Sequence, residues 1–129
     1  MNAAITAALR AHAAGLHPDE AGTELLIGHG TFLRRGDFAA FIWEETSITE
    51  GTTPMAGIDW DAAITALNTG NLPASSGERS ILRLAASIAG GIPVDLRDTV
   101  TGLDDHNATR LLTAIRHVSG KRPENSGHE

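Results

Sequence analysis

Short amphipathic runs closed by glycine dominate this sequence and leave it few ways to fold. Apolar side chains return at helical spacing through Ile5 and Leu9, through Trp60, Ala63, Ile64 and Leu67, through Ile81, Leu84, Ala85 and Ile88, and through Ala108, Leu111, Leu112, Ile115 and Val118. That spacing lines up side chains on one face of a helix. Gly15, Gly70, Gly90-Gly91 and Gly120 follow these runs, and glycine just past a helix supplies the left-handed residue that ends it. Start signals precede most of them: Pro18-Asp19-Glu20 suits a first turn, Asp59 and Asp104 can cap, and Ser75-x-x-Glu78 matches a capping box.

Composition agrees with helices. Alanine supplies 20 of 53 apolar residues, against three valines, three phenylalanines, two tryptophans and no tyrosine, and β-branched and aromatic residues are what strands favour. The expectation is an all-α single domain over residues 1–120, an irregular bundle of five to six short helices, with a polar flexible tail at 121–129. Its second helix carries a continuous face through Leu25, Leu26, His29, Phe32 and Leu33, which Gly28 and Gly30 either break or open to close packing. A third segment repeats at Phe38, Phe41 and Ile42. Residues 46–58, punctuated by Gly51, Pro54 and Gly57, read as an internal loop. Trp60 and the Phe32, Phe38 and Phe41 group are the expected core anchors.

The strings Leu25-Leu26-Ile27-Gly28-His29-Gly30-Thr31-Phe32-Leu33-Arg34-Arg35 and Leu82-Arg83-Leu84-Ala85-Ala86-Ser87-Ile88-Ala89-Gly90-Gly91-Ile92-Pro93-Val94-Asp95-Leu96-Arg97-Asp98, continued by Gly102-Leu103-Asp104-Asp105-His106-Asn107, resemble small uncharacterised helical proteins of actinobacteria. The resemblance implies a bacterial cytoplasmic helical domain and carries over no catalytic residue.

Charge supplies the main functional lead. Between Arg35 and Arg79 stand seven carboxylates (Asp37, Glu44, Glu45, Glu50, Asp59, Asp61, Glu78) and no basic residue, and the whole chain has a formal net charge of −6. A one-signed stretch attracts basic partners and repels polyanions. Asp37, Asp59 and Glu78 are expected to serve at helix starts. Glu44, Glu45 and Glu50 remain, beside Trp43, which falls opposite the Phe38, Phe41 and Ile42 face. These four are the candidate partner-binding residues, forming an acidic-rimmed surface for a partner or a second copy of the chain.

A small metal-dependent hydrolase is the alternative, using Asp95, Asp98, Asp104, Asp105 and His106, because carboxylates near a histidine can run acid–base or metal chemistry. The competing reading is that Arg97 pairs with a carboxylate and Asp104 caps the last helix. No G-x-S-x-G, P-loop, G-x-G-x-x-G or H-E-x-x-H motif accompanies the cluster. A helical DNA binder is the third possibility, through Arg110, Arg116, His117, Lys121 and Arg122, although a helix C-terminus favours such charge by itself. His12 and His29, on apolar faces, are expected as hydrogen-bonded core or boundary histidines, with His17 in the turn between their helices. No cofactor and no metal site is expected. Cysteine is absent, which removes thiol chemistry and disulfides. No apolar run approaches the ~20 residues that span a bilayer, and the N-terminal residues lack the pattern of a signal peptide, so the expected location is cytoplasmic.

Overall fold

A computed structural model describes residues 3–45 and 54–120. Its order is α1 (Ala3–Ala13), α2 (His17–His29), two 3-10 turns (Phe32–Arg34 and Gly36–Phe41), β1 (Ile42–Glu44), β2 (Ala56–Ile58), α3 (Trp60–Thr69), α4 (Ser76–Gly90), α5 (Leu96–Val100) and α6 (Asp105–Val118). The fold is mostly α-helical, with one small antiparallel hairpin between β1 and β2.

Local signals set the helix ends. Asp59 accepts a hydrogen bond from the Ala62 N–H at 3.1 Å, and Asp104 accepts one from Asn107 at 2.8 Å. Ser75 and Glu78 form a reciprocal capping box on α4. Gly70 and Gly91 close α3 and α4 in left-handed conformation.

The second helix departs from its expected length. Gly30 adopts φ 80° and its N–H bonds back to the Leu26 carbonyl, so α2 stops at His29. Phe32 therefore enters the core from a 3-10 turn instead of a continued helical face. The Phe38, Phe41 and Ile42 repeat is likewise not helical throughout: it spans a 3-10 turn and then enters β1. The end of the expected loop 46–58 is a strand, because Ala56–Ile58 pairs with Ile42–Glu44. Residues 46–53 and the tail 121–129 lie outside the described residues.

Helix α2 is central, packing on both α4 and α6. Gly22 is the glycine that permits the close approach: a β-carbon there would stand 2.5 Å from Ala89 Cβ and 2.7 Å from the Ala85 carbonyl oxygen. Gly28, by contrast, faces open space. One core cluster gathers Leu26, Phe32, Phe38, Leu67, Leu72 and Leu82, and a second joins Leu25, Ile81, Leu84, Leu111 and Ala114. Trp60 packs against both but is only half-buried, and Phe41 is also half-buried. Thus Phe32 and Phe38 anchor the core, whereas Trp60 sits at its margin. A third, smaller cluster of Ala8, Leu9 and Ala56, with Ile5, Ile42 and Ile58 against it, seats the hairpin on α1.

Candidate binding face on α1 and the hairpin

Pairing of β1 with β2 places Trp43 opposite Gly57. A β-carbon at Gly57 would lie 2.2 Å from Trp43 Cζ2, so the absence of a side chain lets the indole rest on the neighbouring strand. The His12 ring meets the same indole in a T-shaped contact, with centroids 4.6 Å apart. Two elements thus hold Trp43 in place, yet it remains 42% exposed. His12 is exposed and stacks on this ring, so it is a surface residue and not the expected core or boundary histidine.

Separately, a groove of about 420 Å³ lies between the first turns of α1 and the loop end of the hairpin. Ala4, Ile5, Ala7, Ala8 and Met55 supply its apolar lining, and Glu44 and Glu45 supply its charge. Farther along α1 is a smaller cavity of about 130 Å³, whose lining includes His12, Asp19, Thr23, Gly57 and Trp60. Three of the four expected partner-binding residues, Trp43, Glu44 and Glu45, therefore sit on one exposed hairpin strand and its continuation. Glu50 lies outside the described residues.

The other acidic residues go elsewhere. Asp59 and Glu78 cap helices, but Asp37 turns to the side chain of Arg35, at 2.7 Å, instead of capping. That hydrogen-bonded pairing holds the Asp37 carboxyl below its ordinary range.

The 95–106 cluster is spread over two helix starts. Asp95 accepts from the Asp98 N–H at 3.1 Å to cap α5, and Asp104 caps α6. Asp98, Asp105 and His106 are exposed, and none of the five lines a cavity named here. No group of three or more histidines and carboxylates among the described residues is arranged to hold a metal ion. Arg97 forms no ion pair among them, contrary to the pairing considered for it.

Of the basic end, Arg110 donates to Asn107 at 2.9 Å, Arg116 is exposed, and His117 is taken up by α2. Lys121 and Arg122 lie outside the described residues. The His117 contact was not foreseen from sequence. Its Nε2 lies 2.8 Å from Glu20 Oε1, between partly buried side chains 97 positions apart. His117 borders two shallow cavities, of about 200 and 240 Å³, that also share Glu24. Glu24 is held by Arg10 through two hydrogen bonds, of 2.7 and 3.1 Å.

His29 is not the hydrogen-bonded histidine expected, because its Nδ1 is buried with no partner among the described residues. Burial lowers its pKa from 6.5, and the positive charge of Arg110 adds to the shift.

No helix among the described residues is long and apolar enough to cross a membrane. No family model matches this chain, and neither a curated protein nor a solved structure does.

Proposed function

We propose that this protein is a cytoplasmic, non-catalytic interaction module that receives a basic partner on the face made by α1 and the hairpin. The observation that carries this reading is an apolar groove edged by Glu44 and Glu45, which directly follow a Trp43 that is braced by two elements yet left 42% exposed. Aromatic residues dominate interface energies when they are rigid and desolvated on binding. Acidic residues at the edge speed and orient the encounter with a basic surface more than they add raw affinity.

Affinity capture with the full chain tests the reading. A partner bound by the wild type should be lost with Trp43→Ala and with Glu44→Lys/Glu45→Lys. It should persist with Asp95→Asn/Asp104→Asn, provided each variant melts near the wild type. Equal capture by all the variants would contradict the proposed face.

A further inference from the structure

The small cavity behind the Trp43 stack has a chemistry of its own. Asp19 lies in the first turn of α2, where the helix dipole favours its negative charge. Its carboxylate is half-buried, yet has no hydrogen-bond or ion-pair partner among the described residues. Thr23, one turn farther on, is 7% exposed and lines the same cavity. Its hydroxyl also has no hydrogen-bond partner among the described residues, and Thr23 borders the neighbouring cavity of about 200 Å³ as well. Two residues with unpaired oxygen groups, Asp19 and Thr23, thus border one space of about 130 Å³.

The remaining lining says what would fill that space. Trp60 is part of the lining, and an indole is the side-chain ring that attracts cations most strongly. Leu9, Ala13 and Ile58 are aliphatic and suit a hydrocarbon stem. An anion would meet Asp19. A calcium ion takes six to eight oxygen ligands, and a single carboxylate with a single hydroxyl falls well short. A primary ammonium fits better: it carries three N–H donors on a compact head, and carboxylate, hydroxyl and aromatic ring are the groups that bind it.

We infer that the Asp19–Thr23–Trp60 cavity is a binding site for a primary ammonium on an aliphatic chain, either the end of a lysine side chain or a free alkylamine. The lysine form rests on the reading of this face as a surface for a basic partner, since Gly57 and His12 belong both to this cavity and to the Trp43 stack.

The test is a titration of the full chain with n-butylammonium chloride, followed by tryptophan fluorescence, with n-butanol as the neutral isostere. The expected result is saturable binding of the amine and none of the alcohol. Asp19→Asn should weaken the amine at least tenfold and Thr23→Val several-fold, with both variants keeping the wild-type thermal melt. If Asp19→Asn does not fold, Thr23→Val alone decides. Equal binding of alcohol and amine, amine binding unchanged in the variants, or no saturable binding would each overturn the inference. A capped lysine peptide that binds more tightly than butylammonium identifies a partner's lysine, and equal affinity identifies a free amine. Capture through Glu44 and Glu45 without amine binding defeats only this inference. Amine binding without any such capture defeats only the wider reading.

Discussion

Glycine residues carry more of this structure than their sequence context suggests. Gly57 lies beneath Trp43 and Gly22 lies against the Ala85 backbone, and both would need room that their neighbours do not offer. We expect Gly57→Ala to displace the indole and cost about 1–3 kcal/mol, the usual range for forcing extra volume into a packed site. Gly22→Ala should be at least as costly, because one of the atoms it meets is a main-chain oxygen. Urea unfolding of each variant measures both. A Gly57→Ala chain with unchanged midpoint and unchanged tryptophan emission would mean that the indole does not rest on the strand. Neither role was legible in the sequence, where Gly57 read as loop punctuation and Gly28 and Gly30 drew attention in the second helix. A close approach depends on what lies opposite, and in sequence Gly57 is 14 positions from Trp43 and Gly22 is 67 positions from Ala89.

His29 makes the same point for charge. The folded chain lowers its pKa from 6.5, so folding disfavours the protonated form. Its contribution to stability is full above that value and is lost as the pH falls through the lowered one. His29→Leu, which removes the unpaired buried nitrogen, should therefore narrow the loss of stability between about pH 7.5 and about pH 5 relative to wild type. Urea midpoints at the two pH values decide it, and an unchanged gap would rule out His29 as a source of the acid sensitivity.

At the scale of elements, the carboxylates of the acidic segment are not equivalent. Loss of the α4 cap by Ser75→Ala should cost about 1 kcal/mol, because Ser75 satisfies a backbone N–H and its partner Glu78 satisfies another. Asp37→Ala removes an exposed contact to Arg35 and should cost less than about 1 kcal/mol. Equilibrium unfolding that ranked them the other way would undo this sorting. The caps at Asp59, Ser75/Glu78 and Asp104 were readable because capping is decided within four residues, as were the stops at Gly70 and Gly91. The hairpin was not. Each of its strands is three residues long, too short to establish an alternating pattern, and its register comes from packing Ile42, Ala56 and Ile58 on α1.

For the molecule as a whole, α2 ties α4 and α6 into a core, while α1 and the hairpin form a second, thinner layer that carries the candidate face. The Trp43, Glu44 and Glu45 lead was open to sequence reasoning because an exposed aromatic beside unpaired like charges stands out along the chain. The ammonium cavity was not, since Asp19 and Thr23 of α2 and Trp60 at the start of α3 border one space only in the folded chain. The groove and the cavity lie along the same helix, so a basic segment could lay an apolar side chain in one and a lysine in the other. Such binding should weaken as salt rises, because exposed charges are screened over about 8 Å at physiological ionic strength.

The central claim is that Trp43 is buried by a basic partner, and fluorine NMR on the full chain labelled with fluorotryptophan tests it most directly. There are two tryptophans, and Trp43→Phe assigns their resonances. Titration with the captured partner should move the Trp43 resonance saturably, with a midpoint that weakens in salt and in Glu44→Lys/Glu45→Lys. A partner that binds while the Trp43 resonance stays where it was would contradict the account.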